Sequence, residues 1–380
     1  MSQLNFIATT TFGLEASVKR EILNLGFENI SVSDGMVCFS GDESAIPKAN
    51  INLRCSDRVL LVMGQFKAFS FDELFEKTKA LNWSYWIPKD GNFIITGKSI
   101  KSQLYSVPDC QSIVEKAIVE NLKKKYKVNW FEKTGAKYKV QVAILKDVVT
   151  LTIDTTGPSL HKRGYRDSAV IAPLKETLAA ALIELSFWKR DRILLDPTCG
   201  SGTIPIEAAM IAKKIPAGLS RKFVSEKWEN IPKEYWKNAR SEAYSVIDTD
   251  FTPEIYASDI DPKAIEIAKH NAINAGVDDC IRFEVKPLKE IKLKKDYGVC
   301  ICNPPYAERM GELKEVEALY RDMGNIFRKN KTWSFYAITS HEEFERLYGR
   351  KADKKRKLFN GNVKIDYYQY YGERPPRQNK

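Results

Sequence analysis

A strand, a glycine-rich turn and a helix follow one another directly between residues 192 and 212. The apolar run 193–195 ends at Asp196-Pro197, and the turn 199–203 leads into an apolar stretch with helical spacing. Glycines allow positive φ and the close approach of a ligand, and the first turn of a helix presents free amide donors. The segment therefore predicts an α/β fold that binds its ligand at the carboxyl edge of a sheet.

Two familiar phosphate-binding motifs do not fit this turn. The third glycine of the dinucleotide fingerprint is missing, and Asp196-Pro197 precedes the turn. No Gly-Lys-Ser/Thr ends it, as a Walker loop would require. An acid at the end of the strand instead suits a cationic or polyhydroxylated ligand, although Gly-x-Gly alone is weak evidence for either.

A second acid is expected at the same edge of the sheet. Residues 255–259 read as a strand ending at Asp259, and Asp261-Pro262 has the pattern of an N-cap followed by proline at the first helical position. At the end of the second strand, Asp259 is placed to accept hydrogen bonds from both ribose hydroxyls of a nucleoside. For Asp261 we expect helix capping alone.

The third segment is Asn303-Pro304-Pro305-Tyr306, which follows the apolar run 297–302. Asn303 offers a side-chain carbonyl acceptor, and the prolines fix the backbone so that the Pro304 carbonyl points outward. Tyr306 adds an aromatic face. Two acceptors beside a ring suit a planar –NH2 group whose base stacks on the ring. A proline turn that merely ends a strand explains the motif as well, and the two preceding segments favour the binding site.

These three segments, in this order, resemble the class I S-adenosylmethionine-dependent methyltransferases that methylate exocyclic amines of bases. Within that branch, residues 160–166 and 172–181 look like the THUMP-domain RNA methyltransferases, and most resemble the bacterial 23S rRNA guanine-N2 methyltransferase family. The resemblance implies an α/β chain with a C-terminal Rossmann-like, seven-stranded class I methyltransferase domain. An α/β ferredoxin-like unit and a THUMP domain precede it.

The resemblance also assigns residues to the cofactor and to the target base. The expected S-adenosylmethionine contacts are Pro173, Leu174, Lys175, Asp196, Thr198, Cys199, Gly200, Ser201, Gly202, Thr203 and Asp259. The target-base clamp comprises Asn303, Pro304, Pro305 and Tyr306. Pro287 stands where related sequences carry an acid near the adenine, so that contact is expected from Val285 and Lys286. Ala307 replaces a more usual glycine.

Length and composition set the domain plan. A chain of 380 residues is long for one domain. We expect a ferredoxin-like unit at 1–59, a THUMP domain at 60–156 and the catalytic domain at 157–380, with an insertion at 215–251. Lys98, Lys101 and residues 106–111 resemble the THUMP signature.

The charge predicts an acidic partner. The formal net charge is +11 and the pI is about 9.1, which favours binding to a polyanion such as RNA. The three histidines are scattered, so we expect no metal. The sequence shows no long apolar run and no basic leader, so we expect a cytoplasmic protein without a membrane anchor. The residues expected to contact RNA are Lys98, Lys101, Lys162, Arg163, Arg166 and Arg309.

Several alternatives remain open. DNA adenine or cytosine methyltransferases share the Asn-Pro-Pro-Tyr and glycine-turn pattern, and the THUMP-like front half argues against them. Protein-glutamine methyltransferases need neither this front half nor the basic charge. A non-catalytic RNA-binding assembly factor would have no use for an intact amine clamp. Among RNA targets, ribosomal RNA is expected first and transfer RNA second, and the clamp does not separate guanine N2 from adenine N6.

Overall fold

The computed structural model describes residues 3–166, 174–293, 295–306, 313–361 and 363–376. The chain divides into two compact units. The first contains residues 1–10, 18–160 and 221–242, and the second contains residues 11–17, 161–220 and 243–380. Among the described helices, none is both long and apolar enough to cross a membrane.

A seven-stranded sheet forms the centre of the first unit, in the order β2-β3-β1-β4-β7-β6-β5. Its elements, with one helix (α1) that begins in the second unit, are β1 (Leu4–Thr9), α1 (Glu15–Asn24), β2 (Glu28–Ser33), β3 (Met36–Gly41), α2 (Ala45–Asn52), β4 (Arg58–Lys67), α3 (Phe71–Lys79), α4 (Trp83–Trp86), β5 (Asn92–Ile100), α5 (Val107–Tyr126), β6 (Lys137–Leu145) and β7 (Val148–Asp154). Only β5 and β6 pair in parallel.

Strand β4 joins the two N-terminal parts predicted from the sequence. It pairs with β1 through residues 58–61 and with β7 through residues 60–67. The predicted boundary at 59/60 therefore falls inside one strand, because a single sheet continues from the ferredoxin-like part into the part with the THUMP signature.

The insertion at 215–251 differs from its prediction. Residues 221–242 belong to the first unit, although the sequence assigned everything after residue 157 to the catalytic domain. The reason is an aromatic anchor: the Trp228 ring stacks on Tyr138 at 4.8 Å, and its indole N–H donates to the Lys137 carbonyl at 3.1 Å. Trp228 is almost fully buried there, so its apolar surface ties this segment to β6.

The second unit contains the predicted methyltransferase-type sheet, in the order β10-β9-β8-β11-β12-β14-β13. Its elements are α6 (Glu176–Glu184), β8 (Leu194–Asp196), α7 (Thr203–Ala212), α8 (Lys233–Ser245, most of which lies in the first unit), β9 (Ile255–Asp259), α9 (Pro262–Asn274), β10 (Ile281–Val285), β11 (Val299–Cys302), α10 (Leu313–Phe327), β12 (Ser334–Thr339), α11 (Phe344–Tyr348), β13 (Lys354–Asn360) and β14 (Val363–Tyr370).

The pairing in this sheet confirms the predicted topology. Strands β10, β9, β8, β11 and β12 are parallel, and β14 adds antiparallel to β12 through the terminal hairpin with β13. Chain order runs outward in one direction from β8 to β10 and in the other from β11 to β12. The sheet therefore reverses its winding between β8 and β11, which is where open α/β sheets bind their ligands.

Candidate active site

Four strands bring predicted site residues to one edge of the second sheet. Asp196 ends β8, Asp259 ends β9, Val285 ends β10, and Asn303 directly follows β11. Because these strands are parallel and adjacent, their carboxyl ends meet at the same edge. The winding reversal lies between Asp196 and Asn303, so the two predicted halves of the site flank the expected binding crevice.

The glycine-rich turn is held by β9. Gly200 N–H donates to Asp259 Oδ2 at 2.9 Å, and Cys199 N–H donates to the Ser258 carbonyl at 2.9 Å. Gly200 and Gly202 have φ of +51° and +81°, a region that favours glycine. A Cβ on Gly202 would also stand 3.0 Å from the Ala268 Cβ of α9. Gly202 is therefore favoured both by its positive φ and by the close approach of α9, and Gly200 by its positive φ alone.

Asp196 is the most deeply buried acid of the edge, with 1% of its surface exposed. Its Oδ1 accepts the Thr198 N–H at 3.2 Å. Burial raises the pKa of Asp196 well above its ordinary value, the Thr198 N–H opposes this shift, and the charge of Asp259 adds to it. A cationic ligand would stabilise the ionised carboxylate. Within the described part of the chain, the buried Thr198 hydroxyl has no hydrogen-bond partner, which fits a polar ligand here.

Cys199 lies in the same turn but is not a nucleophile candidate. Burial, followed by the charges of Asp196 and Asp259, raises the pKa of its thiol well above the ordinary value. The side chain therefore stays protonated at neutral pH. Its contribution to the site is steric.

Asp259 supports two turns and still offers acceptors to a ligand. Its Oδ1 accepts the Asp261 N–H at 3.0 Å and its Oδ2 accepts the Gly200 N–H at 2.9 Å. Each carboxylate oxygen has a second lone pair, so both remain able to accept ribose hydroxyls. Asp261 caps α9 through the Lys263 N–H at 2.9 Å, which confirms the capping prediction.

The predicted adenine contacts lie beside Asp259. Val285 pairs with Asp259 across β9 and β10, and the Lys286 N–H donates to the Asp259 carbonyl at 2.9 Å. The Val285 side chain is 56% exposed, so an apolar surface is available at this point of the edge. Pro287 lies two residues after the end of β10 and is the N-cap residue of a short 3-10 turn (Leu288–Glu290).

The amine clamp is organised by two tyrosines. The Tyr306 hydroxyl donates to Asn303 Oδ1 at 2.6 Å, and the Tyr320 hydroxyl of α10 donates to the Pro305 carbonyl at 3.0 Å. No residue in the described part of the chain donates to the Pro304 carbonyl. Asn303 Oδ1 keeps a second lone pair, so the two acceptors needed for a planar amine are present. The sequence did not indicate Tyr320.

Arg166 and Arg163 have contacts that the sequence did not predict. The Arg166 guanidinium donates to the Thr203 hydroxyl at 2.6 Å and pairs with Glu176 at 3.3 Å. Arg163 is 3% exposed and pairs with buried Glu207 at 3.3 Å. RNA contact does not fit Arg163, since its charge is neutralised inside the protein, and Arg166 contacts the start of α7 through the Thr203 hydroxyl instead.

The remaining predicted residues are placed as follows. Leu174 is buried, and Lys175 is the N-cap residue of α6. Lys98, Lys101 and Lys162 are exposed, as RNA contact requires. Ser201 and Thr203 hydroxyls lie 3.4 Å apart at the start of α7. Pro173, Ala307 and Arg309 lie outside the described residues.

Comparison with protein families supports three regions of the chain. Residues 5–60 match the RlmL ferredoxin-like domain, residues 68–154 match the THUMP domain, and residues 163–369 match the family described as RMKL-like, methyltransferase domain. The predicted fold class, with its ferredoxin-like unit and THUMP domain, is confirmed.

Two curated relatives and one crystal structure are similar to the chain. The Bacillus subtilis (strain 168) protein "Putative RNA methyltransferase YpsC" is 51% identical, covering 100% of this chain and 99% of its own. The Shewanella sp. (strain W3-18-1) "Ribosomal RNA large subunit methyltransferase K/L" is 32% identical over 97% of this chain, which spans about half (53%) of that protein.

The crystal structure of SMU.472 complexed with SAH is 42% identical, with a TM-score of 0.93, covering 99% of this chain and 100% of the other. Together with the family match over residues 163–369, this similarity identifies the cofactor of the chain. The chain belongs to the RMKL-like methyltransferase family, and its cofactor is S-adenosylmethionine.

Proposed function

We propose that this protein transfers a methyl group to guanine N2 of 23S ribosomal RNA. The observation that carries the proposal is the pair of acceptors, Asn303 Oδ1 and the Pro304 carbonyl, at the winding reversal next to Asp196. A planar amine that donates two hydrogen bonds fits this pair. Similarity to a relative named as a large-subunit ribosomal RNA methyltransferase supports the choice of RNA.

The cofactor residues fit S-adenosylmethionine. Asp196 would hold its positive methionine end, Asp259 would accept its ribose hydroxyls, and Val285 and Lys286 would border its adenine. When bound, the cofactor supplies an electrophilic methyl group on a sulfonium. The turn 199–203 lies close to these acids through Gly200 and Cys199, so its backbone would define the width of the cofactor cleft.

The clamp activates a poor nucleophile. The lone pair of an exocyclic amine is delocalised into its base, and acceptors on both N–H groups favour a pyramidal nitrogen with a localised lone pair. Fixing the amine beside the cofactor cleft supplies a near-attack geometry. No strong base is required beforehand, because the proton leaves a positively charged amine after transfer. Burial raises the pKa of Tyr306, which keeps its hydroxyl a donor to Asn303.

The target base must leave its stack to reach this clamp. Stacking on an aromatic side chain is worth about 1–3 kcal/mol per base in single-strand binders, and Tyr306 would provide that face. A paired guanine must first be unpaired and unstacked, which costs free energy. An unpaired or weakly paired guanine in the folded ribosomal RNA is therefore the expected substrate, in a cytoplasmic setting.

The target is tested by product analysis. Purified enzyme and methyl-labelled cofactor are incubated separately with ribosomal RNA and transfer RNA from a strain that lacks the enzyme, and nucleosides are identified by mass spectrometry. We expect N2-methylguanosine in 23S RNA, formed about 10²- to 10³-fold more slowly by the Asn303→Ala variant. Label found only in transfer RNA, or recovered as N6-methyladenosine, would overturn the proposed target.

Charge reversal tests the RNA-binding surface of the first unit. Lys98 is an exposed residue of β5, and Lys101 directly follows that strand. We expect the Lys98→Glu/Lys101→Glu variant to bind RNA about tenfold or more weakly and to reduce the slope of log K against log salt by about 1–2. S-adenosylmethionine affinity should not change.

The matched control carries the same change in net charge at other exposed lysines. Lys89 precedes β5, and the length of that strand separates it from Lys101 by about 30 Å. Lys19 lies on α1. The Lys19→Glu/Lys89→Glu variant should keep RNA affinity within about threefold of wild type. Equal losses in both variants, measured by filter binding at several salt concentrations, would assign the effect to net charge rather than to this surface.

A further inference from the structure

A chain of hydroxyl groups runs from the protein core to the amine clamp. The Tyr320 hydroxyl lies 3.0 Å from the Pro305 carbonyl and 2.9 Å from the Thr339 Oγ1. The Thr339 Oγ1 in turn accepts the His341 N–H at 3.1 Å. Tyr320 and Thr339 are both fully buried. The clamp is thus tied to α10 and to the end of β12 by consecutive hydrogen bonds.

Elementary hydrogen-bond rules decide which of these hydroxyl groups donates and which accepts in each hydrogen bond. A carbonyl oxygen only accepts, so Tyr320 must donate its single proton to Pro305. Tyr320 must then accept from Thr339, because each hydroxyl has one proton to give. Thr339 keeps a lone pair for the His341 N–H. One arrangement of protons satisfies every group, and it has a donor directed at the clamp backbone.

The surroundings hold the Tyr320 ring rigidly. Its ring packs edge-on against Phe344, with centroids 4.9 Å apart, and against His341 at 5.5 Å. Burial, partly opposed by the hydrogen bond with Thr339, raises the pKa of Tyr320 to about 12, so the hydroxyl remains protonated across the physiological range. A rigid, protonated donor at this point restricts the Pro305 peptide to one orientation.

We propose that Tyr320, supported by Thr339, is a positioning residue for methyl transfer. By holding the Pro305 carbonyl inward, it leaves the preceding Pro304 carbonyl to face the target amine. Tyr306 secures the other acceptor by donating to Asn303 Oδ1. Tyr320 does not touch substrate or cofactor and acts through the clamp backbone. The rate measurement that tests this inference rests on the proposed function, because it requires methyl transfer to RNA.

The test removes one hydroxyl and keeps the ring. In the Tyr320→Phe variant we expect kcat to fall about 10- to 100-fold, since small misplacements of reacting groups reduce rates to this extent. The KM for RNA should stay within about twofold of the wild-type value. The Kd for S-adenosylmethionine, measured by calorimetry, should do the same. Thr339→Ser, which keeps the hydroxyl, should retain wild-type kcat, and Thr339→Val should lower it.

Tyr370→Phe is the matched control. Tyr370 is also buried in this core, and its hydroxyl donates to the Arg350 carbonyl at 3.2 Å, a comparable hydrogen bond outside the clamp. Both phenylalanine variants should lower the melting temperature by similar amounts, and only Tyr320→Phe should lower kcat. Equal kcat values for the two variants would overturn the proposal.

A readout independent of catalysis separates this inference from the proposed function. In protein labelled with 15N-asparagine, the Asn303 side-chain resonance is identified by its loss in Asn303→Ala. We expect it to shift or broaden in Tyr320→Phe and to stay unchanged in Tyr370→Phe. An unchanged resonance in both overturns the inference. If wild-type enzyme labels no RNA, the proposed function fails, and this spectrum still decides the role of Tyr320.

Discussion

Replacing Asn303 with alanine is expected to lower kcat for methyl transfer by about 10²- to 10³-fold, a loss typical of removing one preorganised hydrogen-bonding group from an active site. The affinity for S-adenosylmethionine should change less than about threefold. The two effects separate because Asn303 follows β11, whereas the acids assigned to the cofactor end β8 and β9.

The physical basis of this loss is the acceptor that the side chain provides. Asn303 Oδ1 already accepts the Tyr306 hydroxyl and has one lone pair left for a substrate N–H. Alanine removes both interactions, so the amine loses one of its two acceptors and Tyr306 loses its anchor. The ring is then free to turn away from its stacking position. The rate of methyl transfer should therefore fall, and the target base should lose its fixed orientation at the same time.

Single-turnover kinetics at saturating RNA and cofactor measure this prediction directly. Asn303→Asp is the informative companion, because a carboxylate still accepts from the amine and from Tyr306 while adding a charge to the edge that contains Asp196 and Asp259. We expect its rate to lie between those of wild type and Asn303→Ala. If Asn303→Ala lowered the rate and the cofactor affinity to the same extent, the assignment of Asn303 to the clamp would be wrong.

Local signals were enough to predict the framework of the site. Short apolar runs that end at Asp196, Asp259 and Asn303 predicted three parallel strands, and the structure brings their carboxyl ends to one edge. The Asp261-Pro262 cap was also predicted correctly, since capping depends only on residues within one turn. In each case the deciding interactions lie within a few positions of the residue concerned.

Interactions between distant residues could not be read in the same way. Arg163 looks like a surface cation in the sequence, and only the fold brings buried Glu207 to within 3.3 Å of it. Trp228 likewise stacks on a tyrosine 90 positions earlier. Tyr320 has the helical spacing of an ordinary core residue, and its ring does pack in the core. The role proposed for Tyr320 depends on its hydroxyl group. Such roles depend on tertiary packing, which sequence periodicity does not encode.

Asp196→Asn is expected to stabilise the unliganded protein while abolishing tight cofactor binding. Burial raises the pKa of Asp196 well above its unfolded value. Because the unfolded state then binds fewer protons than the folded state, the free energy of unfolding decreases as pH rises from about 4 through the folded pKa. Ionised Asp196 therefore destabilises the unliganded fold at neutral pH. Asparagine keeps an acceptor for the Thr198 N–H and cannot ionise.

We expect a higher free energy of unfolding at neutral pH, because folding raises the pKa of Asp196 and asparagine carries no such ionisation cost. This gain should shrink as pH falls toward about 4, the unfolded pKa of aspartate, where the folded and unfolded states both carry the proton. Scanning calorimetry of both proteins without cofactor, at several pH values, measures this difference. A variant that is less stable than wild type at pH 8 would contradict the assigned ionisation cost.

Cofactor affinity should show the opposite dependence on pH. In the proposed assignment, ionised Asp196 attracts the positive methionine end of S-adenosylmethionine, so wild-type affinity should strengthen as pH rises through the Asp196 pKa. Asp196→Asn should bind about 100-fold or more weakly at pH 8, with little dependence on pH. Asp261→Asn is the matched control, because this exposed acid at the same edge only caps α9 and asparagine caps equally well. If both variants weakened binding alike, the effect would come from the charge of the whole edge, and Asp196 would lose its specific role as the counterion of the cofactor.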